Sequence, residues 1–159
     1  MIMYKISPEV PGSIGSNSVI EYEGGKIKNI KFLEYEFEGW FGDELLTSSP
    51  CYIITEPLAE FLDKSQLTGF ACDDNIKTTK SEIFEYYHPN VELPTFLRML
   101  INGVVEIDEG KITRWSGHDF CLYRNVMLYV TERAFQSLKT SGKMLNFTYK
   151  EIELDLQGH

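Results

Sequence analysis

Tyr52-Ile-Ile-Thr-Glu-Pro-Leu58 and, 76 positions further on, Leu128-Tyr-Val-Thr-Glu-Arg-Ala134 follow one order of residue types. In each, a short apolar run reads as a strand, and a threonine stands where its hydroxyl can cap the free N–H groups of a following helix. Glu56 and Glu132 then meet the positive end of the helix dipole, and Pro57 falls in a first turn that needs no N–H from it. Leu58, Phe61 and Leu62 share one helix face, and Leu62 and Leu138 are again 76 apart. The spacing predicts helices over 56–64 and 132–140. Leu67-Thr-Gly-Phe-Ala-Cys72 reads as the strand returning from the first. Lys139, Ser141 and Gly142 end the second, from which the alternating Leu145-Asn-Phe-Thr-Tyr149 returns. The expected fold class is α+β, mostly antiparallel sheet with two strand–helix–strand units and one additional helix. Two copies are too few for a solenoid, and both a duplicated unit and two independently well-capped ones account for the short identities.

Outward from these units the chain reads as a single domain over 1–159. It is β-rich over 1–50, with the first unit over 51–76, a helix and hairpin over 81–108, and the second unit over 118–155. Pro8, Pro11, Gly12 and Gly15 make 7–17 an irregular connection, and Glu23-Gly-Gly-Lys26 turns a hairpin. From Phe32 to Trp40 apolar and acidic residues alternate, so Tyr35 and Phe37 take one strand face and Glu34, Glu36 and Glu38 the other. Ser81 caps a helix carrying Phe84 and Tyr87 on one face, ended by His88-Pro89. Asn102-Gly103, between Thr95–Ile101 and Val104–Asp108, reads as a type I′ hairpin turn. The core expected from these periods is Tyr35, Phe37, Ile53, Leu58, Phe61, Leu62, Phe70, Leu97, Met99, Ile101, Leu128, Val130, Leu138 and Phe147. Gln157-Gly-His159 is expected to fray.

Hydrophobic residues make up 43% of the chain and charged ones 25%, so it can build a core without metal or disulfide staples. With 15 Lys and Arg against 24 Asp and Glu, the net charge of −9 disfavours nucleic-acid phosphates and anionic membranes and favours a basic partner. Cys51, Cys72 and Cys121 are odd in number and widely spaced, which suits reduced thiols rather than a disulfide framework. The start of the chain lacks a secretory signal pattern, and no run approaches the roughly 18 apolar residues of a membrane span, so a cytoplasmic location is expected.

Candidate chemistry is sparse. His118, Asp119 and Cys121 are possible ligands, but zinc asks for four donors and no second cluster supplies the rest. Ser48 and Ser49 lie in no nucleophile elbow, no cysteine has a basic neighbour, and neither glycine pair matches a nucleotide fingerprint. No catalytic residue, metal or cofactor is therefore expected. The remaining signal is Trp40-Phe41 next to an acidic strand and before Gly42-Asp-Glu44. Core packing accounts for it, and so does an aromatic anchor ringed by carboxylates that receives a basic protein. The partner-binding set read this way is Glu34, Glu36, Glu38, Trp40, Phe41, Asp43 and Glu44.

Gly42-Asp-Glu-Leu-Leu46, Pro50-Cys-Tyr-Ile-Ile-Thr-Glu56 and Leu67-Thr-Gly-Phe70, with His118-Asp-Phe120 and Leu128-Tyr-Val-Thr-Glu-Arg133 later, resemble bacterial immunity proteins of polymorphic toxin systems. The likeness covers 39–75 and 118–150. Similar proteins with paired Cys-x-x-Cys ligands exist, and this chain has no such pair. The resemblance implies a non-enzymatic protein that neutralises a cognate toxin in the producing cell, with a basic nuclease domain as one such toxin. The competing classes are a small enzyme using clustered carboxylates or the His118 segment, and a structural or oligomer-forming protein.

Overall fold

In the computed structural model, which describes residues 1–156, the Thr55 and Thr131 hydroxyls each accept the N–H three residues on, both at 3.4 Å. They open α1 (Glu56–Lys64) and α3 (Glu132–Thr140), while Ser81 caps the shorter α2 (Glu82–Tyr87) at 3.1 Å. Among the described residues these three helices accompany fourteen strands, so the chain is α+β and dominated by sheet.

One sheet runs β11 (Lys111–Trp115), β10 (Gly103–Asp108), β12 (Phe120–Tyr123), β13 (Met127–Thr131), β1 (Ile2–Ser7), β14 (Thr148–Glu153). A second runs β5 (Leu45–Ser48), β6 (Cys51–Thr55), β9 (Phe96–Ile101), β7 (Phe70–Asp73). In the third, the long β4 (Lys26–Phe37) pairs with β2 (Gly12–Ile14), β3 (Val19–Glu23) and β8 (Ile76–Lys80). The first and third sheets are mixed, with β10 parallel to β12 and β4 parallel to β8, and the other pairings, including all of those in the second sheet, are antiparallel.

The two helix-bearing sheets repeat one arrangement. The hairpins β5–β6 and β12–β13 lead into α1 and α3, and the strand after each helix lies two places from the strand before it. An antiparallel strand fills the gap, β9 from later in the chain in one sheet and β1 from its start in the other. Tyr52 and Ile54 of β6, Tyr4 and Ile6 of β1, and Leu128 and Val130 of β13 pack with Leu58, Leu62, Phe135 and Leu138 of the helices in one core. The opposite face of the second sheet, with Leu46, Ile53 and Phe96, packs on Leu33, Tyr35 and Phe37 of β4. The six-stranded sheet curls until Ile112 bridges Leu154 and the Asp155 N–H donates to the Ile112 carbonyl at 2.8 Å, with Met3, Val105, Cys121 and Tyr129 clustered on its other face.

Several local readings are corrected. Asn102-Gly103 is not a hairpin turn: β9 pairs with β6 and β7, while β10 pairs with β11 and β12. Gly103 is needed for closeness rather than for positive φ, since a Cβ there would lie 2.1 Å from the Phe120 carbonyl oxygen. The irregular 7–17 stretch contains β2, the strand after α1 begins only at Phe70, and that after α3 at Thr148. Phe61 is exposed, and Tyr87 points away from the buried Phe84. Of the other expected core residues, Phe70, Leu97, Ile101 and Phe147 are half-buried and the rest buried. Residues 157–159, expected to fray, lie outside the described residues.

Candidate functional site

β4 is an interior strand between β2 and β8, and the loop at 15–18 lies over part of its acidic face. Glu34 is buried, accepting the Asn17 N–H and the Thr79 hydroxyl, both at 3.0 Å. The Asn17 N–H, against the penalty of burial, holds its carboxyl below the usual range. Glu36 is half-buried, and Glu38 is exposed just past the strand end. Trp40 is half-buried against the Phe96 edge and donates its Nε1–H to the Asp43 carbonyl at 2.7 Å, whereas Phe41 is exposed.

Asp43 is fully buried and accepts the N–H groups of Leu145 and Asn146 and the Asn146 side-chain amide. Glu44 receives the Thr55 hydroxyl and pairs with Lys143 at 3.2 Å. The seven residues therefore do not make one surface: Glu34, Asp43 and Glu44 hold internal loops and a cap, and only Glu38 and Phe41 stand fully outside.

Close to Asp43 lies Glu9, whose Oε2 is buried without a hydrogen-bond partner. Burial first, then the Asp43 charge, raises its carboxyl pKa. The charged form is therefore disfavoured in the folded state, and this penalty operates above the raised pKa and vanishes below the ordinary carboxylate range. Glu9→Gln is expected to stabilise the protein by about 1 kcal/mol at pH 7, the scale of one uncompensated buried polar atom, with the gain gone near pH 3. Urea unfolding at the two pH values measures it.

Asp119 is the counterpart of Glu44. Each gives its carbonyl to the N–H of the cap threonine at 3.0 Å and its carboxylate to that threonine's hydroxyl. Asp119 also accepts the Thr68 N–H at 2.9 Å and both Nε–H and Nη2–H of Arg133, at 2.8 and 2.6 Å. It ties the loop after α1 to the start of α3. The neighbouring His118 meets the Ser116 hydroxyl, and among the described residues no three His, Cys, Asp or Glu side chains are grouped to hold a metal. Burial pushes the Cys51 and Cys72 thiols up to about 11 and raises that of Cys121, which suits neutral packed thiols rather than nucleophiles.

A surface that the sequence reading passed over is α2. Phe84 is its one buried residue, so Ile83, Tyr86 and Tyr87 are left in water, 56%, 79% and 69% exposed, with the two tyrosine rings edge to face. Glu82 and Glu85 stand among them, and the helix has no basic residue. The Ser81 N–H donates to the Phe37 carbonyl at 2.9 Å, which sets the first turn of α2 beside Glu38. The signal was present in Glu82-Ile-Phe-Glu-Tyr-Tyr87: a six-residue helix buries one narrow face, and this one is apolar on more than one.

No family model and no curated protein matches the chain. No helix among the described residues is long and apolar enough to cross a membrane.

Proposed function

We propose that the chain is a non-enzymatic, immunity-type protein, built of two strand–helix–strand units of similar shape, that neutralises a basic toxin domain in the cytoplasm of the producing cell. The observation that supports this reading best is the face of α2. Three large apolar side chains lie in water on one short helix, interleaved with carboxylates, next to the acidic end of β4. Tyrosine anchors with an acidic rim suit a protein partner of opposite charge, and the net charge of −9 would steer such a partner in. The sequence resemblance points the same way.

The test is co-purification with the product of the neighbouring reading frame, followed by association kinetics. Tyr86→Ala with Tyr87→Ala is expected to raise the dissociation rate at least tenfold, as loss of anchors does. Reversing Glu38, Glu82 and Glu85 to lysine is expected to slow association about tenfold at low salt and flatten its salt dependence, with little change in dissociation. Absence of a complex with any toxin domain encoded beside the gene would sink the function. A complex indifferent to both sets of substitutions would leave the function and remove this surface.

A further inference from the structure

All three sheets contribute to a cleft of about 810 Å³, between the first half of β4, the turn before β6, the end of β9 and the β12–β13 turn. Its lining contains Lys26, Lys28, Arg98 and Arg124 but no Asp or Glu, in a chain where acids outnumber bases 24 to 15. Arg98 crosses the floor, with its charge taken up by two hydrogen bonds to Asp73, at 2.8 and 2.7 Å, while it also donates to the Ile30 carbonyl. It is a strut between the second and third sheets. The other three cations remain available. Lys28 meets Glu23 only at 3.8 Å with both side chains in water, Arg124 lies over the Tyr123 ring, and Lys26 has no ion pair among the described residues. Between them the walls are apolar: Ile27, Ile101 and Leu122 are half-buried and Leu100 is 45% exposed.

Concave apolar walls with a few convergent charges at one rim are what a small-molecule site requires, and the volume falls in the range of roughly 300–1,000 Å³ that such sites occupy. Low-dielectric walls concentrate the field of like charges, so this cleft attracts anions even though the whole molecule repels them. We propose that it binds a small organic anion, with its head on Lys26, Lys28 and Arg124 and an aromatic or aliphatic body against Ile27, Leu100, Ile101 and Leu122. This does not depend on the toxin reading.

Anilinonaphthalene sulfonate matches that description, and its fluorescence on the folded chain is the probe. One equivalent is expected to bind, more weakly as salt rises. Phenylnaphthylamine, which has the same rings without the sulfonate, should bind at least tenfold less tightly. AMP should displace the probe, whereas inorganic phosphate at equal concentration should not, because the head alone lacks the apolar contact. Lys26→Glu, Lys28→Glu and Arg124→Glu together should weaken binding at least tenfold, and Lys28→Gln with Arg124→Gln, the milder variant, about threefold to tenfold. Lys139→Glu with Lys150→Glu, away from the cleft, should leave it unchanged. Failure of the probe to bind, equal affinity for the uncharged rings, or binding indifferent to the cleft substitutions in variants that unfold like the parent would each overturn the proposal.

Discussion

The Asp119→Asn protein is expected to be about 3 kcal/mol less stable than the parent at pH 7. The carboxylate takes hydrogen bonds from the Thr68 N–H and hydroxyl, the Thr131 hydroxyl and two Arg133 N–H groups. An amide offers one acceptor oxygen and turns an N–H₂ toward donors, leaving several of them unpaired beside a group only 4% exposed. The pH dependence has a definite sign. Burial acts to raise the Asp119 carboxyl, but the bonds from Arg133, Thr131 and Thr68 outweigh it and hold the pKa at about 2, below the ordinary 3.8. A depressed folded-state pKa contributes stability above the unfolded value, here about 2 kcal/mol above pH 4, and that contribution is lost as pH falls from about 4 through 2. Urea unfolding of parent and variant should thus converge in acid. Arg133→Gln should cost less, about 1 kcal/mol, because the guanidinium is 59% exposed and screened by water. Equal stability of parent and Asp119→Asn at pH 7 would show that this tie does not hold α3 to the loop after α1.

Leu62→Ala and Leu138→Ala are each expected to cost about 2–5 kcal/mol, with Phe61→Ala costing less than about 1 kcal/mol. Both leucines are fully buried in the core shared by the two helix-bearing sheets, so each truncation loses transfer energy and leaves a cavity that the packed strands cannot close. Phe61 is one position away on the same helix but 37% exposed. Both leucine variants should unfold in one cooperative transition with an unchanged denaturant slope, because α1 and α3 pack into one core. A loss below about 1 kcal/mol at either leucine would contradict the shared core.

The local chemistry of the chain was sufficient for its helices. Thr55, Ser81 and Thr131 are followed by glutamates and by leucine or phenylalanine at helical spacing, and caps and dipoles act within a turn. The Glu23–Lys26 turn and the alternation of Tyr35 and Phe37 were legible for the same reason, since each depends on neighbours two or three residues away. What the strands paired with was not. Asn102-Gly103 carries the residues of a tight turn, yet Gly103 is placed by the Phe120 carbonyl packed against it, a contact made across the fold. The same limit governs the candidate sites. Glu34, Asp43 and Glu44 look like a surface when only strand parity is read. The burial of Glu34 and Asp43 and the engagement of Glu44 follow from loops at 15–18 and 143–146 that come to lie on them in three dimensions. The anion cleft needs side chains from β4, β9 and the β12–β13 turn, brought together across about a hundred positions. Periodicity and capping report forces that act within a few residues, whereas strand partners, buried charges and clefts are set by which distant surfaces exclude water from one another, and that was decided only when the sheets packed.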